Sequence, residues 1–300
     1  MSKMKLTPSV KTTCTANTGA EWAPASFSDF LAELAHIQSH YASLGRYAPC
    51  YRGHAQDAWR LDSTFARFVK SQILGINPTD LIKDDYRHSL EYLRLLNSLF
   101  LCKFGTLMVP SQELFRASAE KGIDPWFELM KRIQQYPQED ISTLRGTFLI
   151  DWTQDWRIAI YFANHKRSNE DVGAVYVADM TQAGPVLHQD VTVEEIIEKL
   201  YDHFMQDQHP GCPLIFHPRL QIACQRAKNQ DAIYIAQMDL RRDLAEQWEG
   251  QDNARADGFN ILMRIMLPKG TTQEVQEWLT KGGITDEYVY PDKIDQPKPP

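Results

Sequence analysis

The residues best suited to chemistry are three consecutive side chains of different kinds: Asp151, a carboxylate; Trp152, a large aromatic; and Thr153, a hydroxyl. They follow the short apolar run Phe148-Leu149-Ile150, bounded by Gly146. That run is too brief for a helix and reads as the end of a buried strand. The pattern then changes. Ile158, Ala159, Phe162 and Ala163 share one face of a 3.6-residue period, and Asp155 stands where it can cap the first turn. A strand ending where a helix begins offers free backbone groups and a positive helix end, so ligands collect there. These residues also have plainer uses. Trp152 serves equally well as a core plug with a bonded indole N–H, and Thr153 as a helix-start hydroxyl.

Far upstream, Tyr51-Arg52-Gly53-His54 reads as a short strand carrying an arginine. Pro49 before it suits an edge or a strand start better than a strand centre. Arg52 has two possible roles: a buried ion pair with Asp151 across adjacent strands, or a contact to a ligand. Tyr161 beside Phe162 suits partial burial in the core, while Arg219 and Gln225 are polar side chains that would also serve as strand-edge hydrogen-bonders.

Composition narrows the functional classes. With 32 basic and 39 acidic residues the formal net charge is -7, which argues against a surface that grips nucleic acid non-specifically and leaves room for a local basic groove. The five cysteines, at 14, 50, 102, 212 and 224, include no pair at metal or redox spacing, and the nine histidines form no HExxH, so no metal site is expected. A phosphodiester-cleaving nuclease fits poorly, because no cluster of acids or histidines supplies its metal or acid–base pair. No apolar run approaches membrane-spanning length, and the polar stretch Met1 to Thr18 lacks an apolar signal core. No membrane association and a reduced, cytoplasmic location are expected.

The surrounding periodicities supply the elements that position these groups. Phe30, Leu31, Leu34, Ile37 and Tyr41 form a helical stripe after Ser26 or Ser28. Helical patterns follow from about Thr79 to Phe104, from Gln112 to Ala119, and from Pro125 through Trp126, Leu129, Met130 and Ile133 to a stop at Pro137. Beyond the central block, Ala174–Ala178, Ala232–Ala236 and Ile261–Leu267 read as strands, with a further extended piece at Leu214–Arg219. Val193–Phe204, Arg241–Glu249 and Thr272–Thr280 read as helices, the last closed by Gly282-Gly283, and Ile284–Asp292 as a final extended piece. The expected fold is α+β: a single mixed domain with a helical insert between its first two strands. Its expected limits are a disordered segment at 1–25, the domain at 26–295 and a tail at 296–300.

The order of these pieces resembles the FRG domain family, named for a Phe/Tyr-Arg-Gly motif. Tyr51-Arg52-Gly53-His54 with Trp59, Leu61 and Arg67 is similar to that motif and its sequel. Leu149-Ile150-Asp151-Trp152-Thr153, with Ala159, Tyr161, Phe162 and Ala163, is similar to the family's most distinctive block. Arg219 and Gln225 fall where the family tends to have an Arg followed by a Gln, and Ile265-Met266-Leu267-Pro268 through Tyr290-Pro291-Asp292 is similar to its closing segment. The resemblance runs from about Phe27 to Asp295. The sequence departs from it at Ile141–Phe148, which keeps Thr147 but not the usual Gln-His-Tyr-Gly-Leu-Pro-Thr-Arg run. It departs again at Ala227, where the family has Gly, and at the short insertion Lys228–Asp231.

The layout is also similar to the ADP-ribosyltransferases: an Arg on the first strand, a helical insert, hydroxyl residues at a strand end, an Ala-x-x-Phe helix and a later Glu or Gln. That likeness implies an ADP-ribosyltransferase-like fold with a split, largely antiparallel sheet, and NAD as the substrate cofactor. Arg52 would bind its pyrophosphate, Gly53 would allow a close backbone approach, Trp152 and Tyr161 would wall the nicotinamide, and Tyr51, Thr153 and Arg219 would also belong to the cofactor-binding set. Asp151 would be the catalytic carboxylate, with Glu287 a distant second, and Gln225 would hold a ribose hydroxyl or the acceptor. The implied role is that of a bacterial toxin or phage-defence effector. Its partners would be a macromolecular acceptor, protein or nucleic acid, and an antitoxin protein. The alternative is a non-catalytic module binding a nucleotide-like ligand or a protein.

Overall fold

The strands rich in β-branched and aromatic residues assemble into one sheet in the computed structural model, which describes residues 21–43, 49–80, 82–108, 130, 133–134, 143–179, 186–187, 214–216, 225–237, 239–252 and 261–291. Among the described residues there are eight strands: β1 (Glu21–Trp22), β2 (Cys50–His54), β3 (Leu149–Thr153), β4 (Gly173–Ala178), β5 (Val186–Leu187), β6 (Leu214–Phe216), β7 (Ala232–Ala236) and β8 (Leu262–Leu267). Their order across the sheet is β1-β8-β4-β2-β3-β7-β6-β5. The six inner strands pair antiparallel, while the two-residue pieces β1 and β5 add parallel at the edges. The fold is therefore α+β with a mixed, open sheet. Among the described residues no helix is long and apolar enough to cross a membrane.

The helices are α1 (Phe27–Ser43), α2 (Thr64–Phe68), α3 (Asp84–Arg87), α4 (Leu90–Met108), α5 (Trp156–Asn164), α6 (Gln225–Asn229), α7 (Leu244–Asp252), α8 (Thr272–Lys281) and α9 (Asp286–Val289). A π-helical turn, Val69–Ile73, continues α2. Their starts follow capping chemistry. The amide of Asp29 donates to Ser26 Oγ, that of Ala66 to Ser63 Oγ, and that of Arg157 to Asp155 Oδ1.

Several expectations change. The segment 1–25 was expected to be disordered, but Glu21 and Trp22 form the strand β1. Trp22 is buried, and Glu21 pairs with Arg264 across the β1–β8 ladder, giving this short edge both an apolar and an ionic anchor. Because β1 comes first, the helical insert lies between the second and third strands. The stretch 284–292 is not extended throughout. Thr285 Oγ1 accepts from the amide of Tyr288, and that cap starts α9. The helical patterns at 112–119, most of 125–137 and 193–204, and the residues 217–224, lie outside the described residues, as does the tail at 296–300.

Side-chain alternation gives the sheet three cores. On one face α1, α5 and α8 cover β8, β4 and β2, burying Tyr51, Val175, Val177, Met263 and Ile265. On that same face the insert covers β3 and β7, with Phe65, Val69, Tyr92, Leu96, Met130 and Ile133 against Leu149 and Tyr234. The opposite face buries Ile150, Trp152, Tyr176 and Ile235 beneath Trp248 of α7. The two cores of the first face meet at the β2–β3 junction. There the ladder consists of a single pair, Tyr51 opposite Thr153, and the strands then part.

Gly53 sets how closely α5 lies on β2. A Cβ there would sit 1.9 Å from the carbonyl oxygen of Ala159 and 2.5 Å from the amide nitrogen of Ala163. Both contacts are helix backbone, which cannot swing aside. Gly53→Ala is therefore expected to lift α5 from the sheet and to cost about 3 kcal/mol or more, at the upper end of overpacking penalties. Urea unfolding of the variant checks this, and a loss below about 0.5 kcal/mol would show that α5 yields freely.

Candidate functional site

The parting of β2 and β3 creates the site. In an unbroken antiparallel ladder Arg52 would lie opposite Trp152, and Gly53 opposite Asp151. By alternation Arg52 leaves the sheet on the face of Trp152, and Asp151 leaves it on the face of Tyr51 and Thr153. The missing ladder brings them together. The guanidinium turns into the gap, where Nη1 donates to the backbone carbonyl of Asp151. Both residues line a cavity of about 170 Å³ together with Tyr51, Gly53, Trp152, Thr153, Arg226 and Gln230.

The Arg52 side chain is held in place by His54. Its Nε donates to His54 Nε2 at 2.9 Å, so that nitrogen must be unprotonated, and Nδ1 then carries the ring proton toward the Trp59 carbonyl at 3.3 Å. Burial, with the charges of Arg52 and Arg67, holds His54 well below the ordinary imidazole range. Burial likewise pulls the Arg52 guanidinium down to about 10, against the opposing pull of the Asp151 charge. Arg52 makes no ion pair among the described residues. The buried-pair reading of Arg52 and Asp151 is thus replaced by a guanidinium–carbonyl bond. The Asp151 carboxylate instead accepts from Gln134 Nε2 at 3.0 Å, and Gln134 Oε1 accepts from Thr147 Oγ1 at 2.7 Å.

A second, larger cavity of about 680 Å³ adjoins the first through their shared residues Arg52, Gly53 and Phe162. It is lined by Arg60, Arg67 and Lys166, with His54, Trp59 and His165, and no carboxylate among the described residues lines it. Arg60 is neutralised by Asp243 at 2.7 Å and Glu246 at 3.1 Å. Arg67 bonds only the Asp62 carbonyl through Nη1, and Lys166 has no carboxylate partner among the described residues. Arg226, at the inner chamber, lies 4.7 Å over the Tyr290 ring with Nε buried and without a hydrogen-bond partner among the described residues. A cleft lined by one sign of charge in a low-dielectric wall concentrates ligands of the other sign.

The remaining predicted residues divide. Tyr51 lines the inner chamber; its hydroxyl accepts from Gln38 Nε2 at 3.2 Å, and burial pushes its pKa up to about 12. Thr153 also lines it, but its hydroxyl donates to the Gln230 carbonyl at 2.6 Å and accepts from the Asp155 amide, which fixes the strand-to-helix turn. Trp152 is buried against Trp248, edge to face with centroids 6.1 Å apart. Tyr161 is corrected. It is 2 % exposed, lines neither chamber and donates its hydroxyl to Asp286 at 2.6 Å, because it lies on the core side of α5. Phe162 and His165 line the cleft from α5 instead. Gln225 is also corrected: it is exposed on α6, bonds Asn229 at 2.6 Å and lines neither chamber. Gly53 lies at the cleft, but its bare Cα faces α5 rather than an open approach. Glu287 lies outside both chambers, and Arg219 lies outside the described residues.

Sequence reasoning missed Gln134, Arg226, Gln230 and Lys166 as parts of the site. Only the basic character of Arg226 and Lys166 hinted at a role; Lys166 takes a left-handed φ of 59° just past α5. Comparison with protein families, with curated proteins and with solved structures finds no match to this chain.

The geometry makes two expectations. Arg52→Ala leaves a carbonyl and an imidazole without their donor and is expected to cost about 1–3 kcal/mol. Its coupling to Asp151→Ala should stay within about 1 kcal/mol, because the carboxylate does not bond the guanidinium. A double-mutant cycle in urea reads this, and a double variant as stable as the wild type would restore the ion-pair reading. His54 gives a pH dependence. With its folded pKa depressed, the unfolded chain takes up the proton first. The stabilisation is complete above about 6.5 and is lost as pH falls from there toward the folded pKa. The denaturation midpoint should fall between pH 7 and 5, and should fall less in His54→Gln.

Proposed function

We propose that the protein is an NAD-dependent ADP-ribosyltransferase of the FRG type, acting in the cleft where β2 and β3 part. The observation that carries this reading is the Arg52 guanidinium. It is fixed by His54 and the Asp151 carbonyl, has no carboxylate partner among the described residues, and lies where the two chambers join. Such a fork is the best side-chain partner for a diphosphate. A split sheet with a helical insert before the Asp151 strand supports an ADP-ribosyltransferase-like fold, and the combined cleft is of the size that takes a small-molecule cofactor.

The chemistry divides between the chambers. The diphosphate of NAD lies along Arg52 and Arg67, with the nicotinamide ribose turned toward Asp151. The bond from ribose C1′ to the nicotinamide nitrogen breaks, its electron pair leaving with neutral nicotinamide. The oxocarbenium-like ribose so formed is stabilised by the Asp151 carboxylate. A nucleophilic oxygen or nitrogen of a macromolecular acceptor closes on C1′ and loses its proton to the carboxylate or to water. Gln134 holds the carboxylate in one rotamer throughout. An acceptor in protein or nucleic acid fits a toxin or phage-defence role, with an antitoxin protein as a regulatory partner.

A non-catalytic nucleotide-binding module is the second reading. It is favoured by one observation: among the described residues Asp151 is the only carboxylate lining either chamber, so no second acid or base stands beside it. Incubation with NAD carrying label in the adenylate half, in the presence of cell extract, separates the two. Transfer is expected to give labelled macromolecule and free nicotinamide. Asp151→Asn should lower kcat about 100- to 1000-fold, in the range seen on removing a group that stabilises transition-state charge. Arg52→Ala should mainly raise KM. A thermal shift with NAD but no nicotinamide release would support the module, and neither shift nor release would overturn both.

A further inference from the structure

The outer chamber has an aromatic wall that the bond-breaking step does not use. Among the described residues five large apolar side chains are exposed, Trp59, Ile73, Tyr86, Leu90 and Tyr288, and of these only Trp59 lines the cleft. Its indole is 46 % exposed. The turn that carries it is tightly held. The Asp57 amide donates to the Val172 carbonyl at 3.0 Å, and Arg264 Nη1 to the Asp57 carbonyl at 3.1 Å. The Trp59 amide donates to the Gln56 carbonyl at 3.3 Å, and the Trp59 carbonyl accepts from His54 at 3.3 Å and from the Tyr176 hydroxyl at 3.5 Å. The ring itself meets His54 edge to face, with centroids 5.9 Å apart. An anchored turn therefore presents the half-exposed Trp59 to a chamber whose lining includes Arg67 and Lys166, neither with a carboxylate partner among the described residues.

We propose that the outer chamber is a nucleobase subsite, in which Trp59 stacks a purine while Arg67 and Lys166 take the phosphates attached to it. This rests on the nucleotide reading of the cleft and extends it by assigning which end of the ligand lies where. The base goes outward onto Trp59, and the reacting ribose goes inward to Asp151. Stacking needs only a flat π-face, so it tolerates any base, but a two-ring purine covers more of an indole than a pyrimidine does. Rigid aromatic presentation also lowers the entropic cost of binding, because the indole has few torsions left to fix. His54 takes part twice: it orients Arg52 on one side and supports the turn and ring of Trp59 on the other. Phosphate position and base position are thus set by one side chain.

Isothermal titration of the full chain with ADP, UDP and inorganic pyrophosphate tests the subsite. ADP is expected to bind more tightly than UDP, and UDP more tightly than pyrophosphate. Trp59→Ala and Trp59→Leu should each weaken ADP about tenfold while leaving pyrophosphate within twofold, and Trp59→Phe should keep most of the ADP affinity. The Leu variant retains packing on His54 and so guards against a folding defect in the Ala variant. The proposal is overturned if ADP binds no better than pyrophosphate, if both Trp59 variants weaken the two probes equally, or if ADP does not bind at millimolar concentration. Turnover keeps this apart from the transfer reading. Trp59-dependent ADP binding without nicotinamide release leaves the subsite standing and removes transfer. NAD turnover with an unchanged KM in Trp59→Leu removes the subsite and leaves transfer standing.

Discussion

A β-sheet cannot open in its middle without leaving backbone groups that need partners, and everything distinctive in this molecule follows from such an opening. β2 and β3 share one residue pair and then diverge, so the carbonyl of Asp151 faces a gap instead of a neighbouring strand. Arg52 fills that gap with a guanidinium. A neutral amide would have satisfied one carbonyl and ended there. A guanidinium has five N–H donors, and here it spends one on the carbonyl and one on His54. The remaining donors and the positive charge stay in the cleft. The same side chain that closes the sheet's hydrogen bonding therefore leaves a fixed cation where the two chambers join.

An opening of this kind persists only if both halves are held apart by something stiff. On one side Gly53 lets the backbone of α5 rest on β2, which locks the helix carrying Phe162 and His165 to the strand carrying Arg52. On the other side the insert is clamped by buried polar groups. Lys70 Nζ pairs with Asp62 Oδ2, Gln237 Nε2 donates to Asp62 Oδ1 at 2.8 Å, and Gln237 Oε1 accepts from the Ser63 amide at 2.6 Å. Asp62 and Gln237 are buried, so each bond counts at low dielectric and a missing partner would be costly. The clamp ties the start of α2 to the end of β7, and thereby fixes Arg67 at the cleft. Gln134, from the same insert, reaches across to the Asp151 carboxylate.

The elements legible in the sequence were those whose signal is local. The run Ala174–Ala178, the run Ala232–Ala236 and the amphipathic Thr272–Thr280 each carry their own periodicity and came out as β4, β7 and α8 within a residue or two. The cap at Asp155 was legible for the same reason, since an acid before an apolar helix has one obvious use. Tyr161 shows where local reading stops. Its neighbour Phe162 faces the cleft and Tyr161 the core, a difference of one position on a helix that only the placement of β2 decides. Gln225 failed similarly, because it was read as a ligand contact or a strand-edge hydrogen-bonder where the chain forms the short α6. Gln134 had no readable signal. A glutamine in a helical insert takes its meaning from what the insert is folded against.

The charge distribution carries the argument a step further. The chain has more acids than bases, with a formal net charge of -7, so carboxylate partners are plentiful. Several described arginines find them, Arg60 with Asp243 and Glu246, Arg87 with Glu246, Arg157 with Asp155 and Arg264 with Glu21, whereas the buried Arg167 is held by Asn164, Thr271 and backbone carbonyls. Arg52, Arg67, Arg226 and Lys166 surround the cleft without such partners among the described residues. Leaving the partly buried guanidinium of Arg52 or Arg67 without a carboxylate is expensive for stability, and in an acidic chain it cannot be a shortage of acids, whereas Lys166 is exposed. Burial lowers the guanidinium pKa of both Arg52 and Arg67, which records that expense at each. That expense, borne at two arginines of one cleft, supports the proposed binding of an anionic ligand there.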